Sequence, residues 1–230
     1  MIFCIVIYFN DIIKLKEGWR RFMGMLLEAC VGSYEEAKKA EEKGADRIEL
    51  CDNLSEGGTT PSYGTIYLAK KNLNIPIAVI IRPRGGDFVY SNDEFEIMKR
   101  DIMLCKELGV ETVVLGILNR DNTIDIERTR ELVNLAKGLK VTFHMAFDEI
   151  DNKIEALDQL ISMGIHRVLT KGCKSCAEEG KLVLKELVEK SEGKITILVG
   201  GKVTYENYKE LSDFIGCKEV HGSKIVGSLK

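Results

Sequence analysis

The chain has 230 residues, with 33 Lys and Arg against 36 Asp and Glu, a net charge of −3 and a pI near 5.8. That balance, with no Lys or Arg run longer than two residues, excludes a nucleic-acid surface, while 45% hydrophobic and 30% charged residues suit one globular core. Seven cysteines, an odd number scattered through the chain, exclude the disulfide framework of a small secreted domain, so reduced cytosolic thiols and a cytoplasmic setting are expected.

The first nine residues, Met1 to Phe9, are strongly apolar but too few to span a bilayer core of about 30 Å. They lack the basic region and small-residue cleavage site of a signal peptide. Residues 1–24 therefore read either as a misassigned start, the domain beginning near Met23 or Met25, or as an added segment that docks on the fold. From Leu26 onward short apolar runs alternate with amphipathic segments. The predicted strands are Leu26–Val31, Arg47–Cys51, Pro76–Arg82, Thr112–Leu118, Val141–Phe147, Arg167–Thr170, Thr196–Gly200 and Glu219–Gly222. Between them helices are predicted over Tyr34–Lys43, Tyr63–Asn72, Asn92–Leu108, Ile126–Gly138, Lys153–Met163, Ala177–Lys190 and Tyr205–Phe214. Ser33 with Glu36 and Ser91 with Glu94 have capping-box spacing, and Gly44, Gly109 and Gly164 close helices just before the next strand.

Strict alternation of strand and helix calls for a parallel sheet covered by helices. Eight strands, and no Gly-x-Gly-x-x-Gly after the first, favour a closed (β/α)₈ TIM barrel over a doubly wound sheet. No linker interrupts the series, so residues 25–230 read as one α/β domain. After the last strand roughly eight residues remain, about 12 Å of helix, so the groove between strands eight and one is expected to lack a full covering helix.

In such a barrel the functional face lies at the C-terminal ends of the strands. Strand one carries Glu28-Ala29-Cys30 and strand two Glu49-Leu50-Cys51. Alternation puts each Glu with its Cys on one face, and strands about 4.8 Å apart bring the thiols within reach of a shared ligand. Cysteine is also a common small core residue, a reading that stays open here. Arg82 and Arg84 share parity after strand three and suit capture of a carboxylate or phosphate; ion pairs with Glu28, Glu49 or Asp87 are the equal alternative. On strand five Thr142, His144, Ala146 and Asp148 share one face, and strand eight supplies Glu219 and His221. Glu28, Glu49, His144, Asp148 and His221 are thus candidate acid–base groups. Gly200, Gly201, Gly222 and Ser223 fall where barrels often hold phosphate. His166 lies at the opposite end and is expected to be inert. Cys173-Lys174-Ser175-Cys176 sits at a predicted helix start, where the dipole lowers a thiol pKa; a single such motif signals metal or redox chemistry only weakly.

Glu28-Ala29-Cys30, Arg47-Ile48-Glu49-Leu50-Cys51, Glu56-Gly57-Gly58-Thr59-Thr60-Pro61-Ser62, Ile81-Arg82-Pro83-Arg84-Gly85-Gly86-Asp87-Phe88, Thr142-Phe143-His144 with Ala146-Phe147-Asp148, and Glu219-Val220-His221 together resemble the CutC family of copper homeostasis proteins, from Leu26 nearly to the C-terminus. The resemblance implies a cytoplasmic TIM barrel, a homodimer or larger assembly, and Cu(I) bound by Cys30 and Cys51. Against the family pattern, this chain has Met145 where Arg is usual, lacks a helix after strand eight, and adds the Cys173–Cys176 pair. Two functions are carried forward: Cu(I) binding, since thiolates are soft ligands, and a barrel enzyme acting on a small anionic substrate. Neither involves nucleic acid or membrane.

Overall fold

The computed structural model describes residues 24–229, so the expectation for residues 1–24 lies, Gly24 apart, outside the described residues. Eight parallel strands close a barrel in sequence order: β1 Leu26–Val31, β2 Arg47–Leu50, β3 Ile77–Ile80, β4 Thr112–Leu115, β5 Lys140–Phe143, β6 Arg167–Thr170, β7 Thr196–Val199 and β8 Glu219–Gly222. Seven α-helices are described between them: α1 Tyr34–Glu42, α2 Tyr63–Asn72, α3 Asn92–Glu107, α4 Ile126–Leu135, α5 Lys153–Ser162, α6 Ala177–Ser191 and α7 Tyr208–Ile215. None of the described helices is long and apolar enough to cross a membrane.

Strand parity divides the core in two. Leu27, Ala29, Ile48, Leu50, Ile77, Val79, Val113, Val141, Val168 and Val220 point outward into one cluster with the helices. The alternate residues fill the barrel, and much of that filling is charged. Glu28, Arg47, Arg167 and Glu219 form a chain: Arg47 pairs with Glu28 and, at 2.6 Å, with Glu219, which also receives Arg167 Nε at 2.8 Å. Each charge has an opposite partner, the condition under which buried ions are tolerated. Register builds this layer, because Glu28 sits opposite Arg47 on β2 and His221 on β8.

Ser91 and Glu94 complete a capping box at α3. At α1 only half of one forms: Ser33 accepts from Glu36 N, while the Glu36 carboxylate accepts from Gly32 N at 2.8 Å. Strand five ends at Phe143 rather than Phe147, because the His144 ring accepts from Ala146 N and starts a 3₁₀ turn over Met145–Glu149. Helix α7 begins at Tyr208 rather than Tyr205, since Thr204 N donates to Asn207 Oδ1 and holds a turn there. No helix follows β8 among the described residues. Ile225 and Leu229 are buried instead, and Lys39 and Lys43 of α1 hold the carbonyls of Leu229 and Ser228.

Candidate functional site

The C-terminal mouth of the barrel opens into a cavity of about 450 Å³, bordered by Cys30, Glu49, Arg82, His144 and His221. Register sets Cys30 opposite Glu49. The Cys30 and Cys51 sulfurs and a Glu49 oxygen all lie within 4.8 Å of one another, a group able to hold a metal ion. Cys51 is buried and donates to Glu49 Oε2 at 3.5 Å. Gly58 covers it with φ of +89°, and a Cβ there would lie 3.3 Å from Cys51 Sγ.

His221 links this group to the charged layer beneath. Its Nδ1 faces Glu28 Oε1 at 2.8 Å and its Nε2 lies 3.7 Å from Glu49 Oε2. Burial disfavours charge on Glu28, but Arg47 and His221 outweigh it and bring the carboxyl down to about 2. Burial pushes Glu49 up to about 8, against the pull of the His221 charge. Burial also opposes charge on His221, yet Glu49, Cys30 and Glu28 hold it well above its ordinary value. Hydrogen bonding from Cys51 lowers Cys30 well below the usual thiol range; burial opposes that shift and His221 reinforces it. Cys51 is correspondingly raised, first by its bond to Cys30 and then by burial. The directions of these shifts favour the thiolate at Cys30, the thiol at Cys51 and the charged ring at His221.

The other candidates divide. Arg82 borders the cavity and is 4% exposed. Arg84 turns away: its Nε meets Glu94 at 2.6 Å and its Nη2 meets Asp87 at 3.0 Å, so of the ion pairs considered for it, the one with Asp87 forms. His144 borders the cavity, but Asp148 does not share its face, because the strand has already ended. The Asp148 carboxylate accepts from Thr170 Oγ1 at 2.6 Å and Cys173 N at 2.9 Å, fastening the loop after β6. Gly201, Gly222 and Ser223 border the cavity, yet the glycines make room for protein. A Cβ at Gly200 would meet Leu169 and Met145 at 2.8 Å, at Gly201 Lys171 Cβ at 2.5 Å, and at Gly222 Val203 O at 2.1 Å.

All six described cysteines are free thiols. Cys173 runs against the expected dipole effect, since burial raises its pKa. His166 accepts from Val141 N at the far end of the barrel. Sequence reasoning passed over Arg47 and Arg167 as interior groups. Arg47 was legible, being two residues before Glu49 and so of its parity; Arg167, alone on its strand, carried no such signal.

The CutC family model matches residues 25–226. The chain belongs to the CutC family. A human relative, "Copper homeostasis protein cutC homolog", is 47% identical over 200 residues, covering 87% of this chain and 73% of its own. A CutC family protein of Chromobacterium violaceum is 46% identical over 201 residues, covering 87% and 81%. The crystal structure of a CutC protein from Streptococcus agalactiae superposes with a TM-score of 0.85 at 41% identity, covering 87% of this chain and 99% of that one. A deoxyribose phosphate aldolase from Aeropyrum pernix superposes at 0.69 with 15% identity, covering 97% of each, and shows the barrel alone.

Proposed function

We propose that this chain serves copper homeostasis by binding Cu(I) through Cys30 and Cys51, with Glu49 closing the group. The observation that carries the reading is the convergence of two sulfurs and a carboxylate oxygen within 4.8 Å at the ends of β1 and β2. The donor set fits the ion: thiolates are soft, and two suffice for a low-coordinate Cu(I) site. Metal binding requires deprotonated sulfur, and the neighbours of Cys30 already favour its thiolate. Cargo rather than a resident cofactor is the role proposed for copper, and the names of the relatives support it.

Anaerobic titration of the reduced protein against a chromophoric Cu(I) chelator tests the assignment. Cys30→Ser with Cys51→Ser is expected to abolish competition with the chelator, while Cys173→Ser with Cys176→Ser leaves it intact. Unchanged affinity in the first variant, or its loss in the second, would place the metal elsewhere. Cytoplasmic residence and a homodimer belong to the same proposal, on the family likeness; a monomer in sedimentation at micromolar concentration would remove the dimer.

A further inference from the structure

The part of the cavity wall that carries Arg82 and His144, after β3 and β5, has a chemistry that copper does not use. Arg82 donates to three backbone carbonyls, those of Glu56 at 2.7 Å, Gly58 at 2.8 Å and Gly86 at 2.6 Å. Among the described residues no carboxylate forms an ion pair with it, and its Nε is buried without a hydrogen-bond partner. Carbonyl dipoles satisfy N–H groups but do not neutralise the charge. Tyr90 lies close by, and the Asp87 carboxylate, which feels the charge, is exposed and paired with Arg84. A buried charge is thus left with weak compensation, which is costly. Beside it stands His144, 4% exposed. Its Nδ1 accepts from Ala146 N at 3.2 Å, so in the neutral ring the proton sits on Nε2. That Nε2 is also buried without a partner, although native structures leave few such groups.

Both groups belong to one surface. The Phe88 ring lies 4.9 Å from the His144 ring and 5.1 Å from the Arg82 guanidinium carbon. The backbone makes room for the imidazole, because a Cβ at Gly116 would stand 2.5 Å from His144 Cε1. Around them the lining is apolar, with Ile80, Met145 and Leu169. The cavity of about 450 Å³ is of ligand-pocket size.

We propose that this wall binds a small organic carboxylate, one oxygen accepting from His144 Nε2–H beside Arg82 and a short apolar body resting on Phe88, Met145 and Leu169. One imidazole donor and one guanidinium edge match the two oxygens of a carboxylate. Phosphate would call for more donors, and the glycines at Gly200, Gly201 and Gly222 are closed by protein atoms rather than arranged as a backbone cradle. The inference does not depend on copper.

Ligand-observed NMR and calorimetry on the reduced, metal-free full chain test it, using acetate, 3-methylbutanoate and 4-methylpentanoate as probes. At least one branched carboxylate should bind, with 4-methylpentanamide and inorganic phosphate at least roughly tenfold weaker. His144→Phe should weaken the carboxylate by a similar factor, and His144→Gln, which restores an N–H donor, should recover part of it. Arg82 also ties down the loops that carry Glu56 and Gly86, so the weight rests on the two His144 variants, each checked for an unchanged fold by circular dichroism. No binding by any of the three carboxylates, tighter binding of phosphate or the amide, or indifference to His144→Phe would overturn the proposal. Copper is absent throughout, so failure here leaves the Cu(I) titration standing, and the reverse holds too.

Discussion

Replacing His144 by Phe should remove a defined part of the acid sensitivity of the fold. Burial, and then the neighbouring Arg82 charge, bring His144 from its ordinary 6.5 down to about 3. The unfolded chain therefore takes up a proton below 6.5 while the folded chain refuses it. Stability is lost as pH is lowered wherever the unfolded state binds more protons, by up to about 1.36 kcal/mol per pH unit for one group. Integrated from pH 7 to pH 5, the loss from His144 comes to about 2 kcal/mol. Glu49, raised by burial, works in the opposite direction over the same window, since its folded form holds the extra proton. The total slope of the wild type is therefore a mixture, and the informative quantity is the difference between the two proteins. Urea unfolding of wild type and His144→Phe at pH 7 and pH 5, analysed with a common slope, gives it directly. The variant should lose about 2 kcal/mol less than wild type on acidification. Equal losses, within about 0.5 kcal/mol, would mean that His144 takes up a proton in the folded barrel, and the reasoning about its buried neutral ring would fall.

Three further perturbations follow from the same geometry. Gly58→Ala places a Cβ at φ of +89° and 3.3 Å from Cys51 Sγ; it should cost about 1–3 kcal/mol in urea unfolding, and a neutral result would deny the tight cover over that thiol. Asp148→Asn keeps one acceptor oxygen where the carboxylate serves Thr170, Lys171 and Cys173. It should lower stability by about 1–3 kcal/mol and speed amide exchange at Cys173, whereas unaltered exchange would show that the loop is held otherwise. Arg47→Met leaves Glu28 and Glu219 without their shared cation and should cost about 3–5 kcal/mol; a loss under about 1 kcal/mol would mean the buried chain is not coupled as drawn.

Periodicity made the barrel legible. Five of its strands, Leu26–Val31, Arg47–Leu50, Arg167–Thr170, Thr196–Val199 and Glu219–Gly222, differ from expectation by one residue at most, because outward apolar residues alternate with a different interior set. Parity also brought Glu28, Cys30, Glu49 and His221 to one interior, as local alternation can when both ends of a pair lie inside regular strands. It failed beyond Phe143, where period-2 counting assumed a strand that His144 itself terminates by capping a 3₁₀ turn. It failed likewise at Arg84, whose direction is decided by Glu94 at the start of α3, ten residues on. Carboxylate partners in loops exert no periodic signature, so the two arginines of Ile81-Arg82-Pro83-Arg84 looked equivalent and are not. At Gly200, Gly201 and Gly222 the sequence shows that a Cβ is absent, but not that protein atoms occupy the space it would take.

The charge arrangement of the interior separates the two halves of the mouth. Glu28 and Glu219 balance Arg47 and Arg167 in the lower layer. Above them the raised His221 faces the lowered Cys30, while burial holds Glu49 up. The shifts at Cys30 and His221 thus run in complementary directions within the barrel. Arg82 stands outside this balance. Its neighbours include carbonyl oxygens, an aromatic face, the Tyr90 hydroxyl and a ring kept neutral. The Asp87 carboxylate that feels its charge is exposed and paired with Arg84, and the Glu149 carboxylate at the rim is exposed to solvent, where screening weakens its reach. The two proposed ligands therefore call on different charges: the thiol side meets a cation with its own sulfurs, whereas the Arg82 side is where the proposed carboxylate would supply the anion.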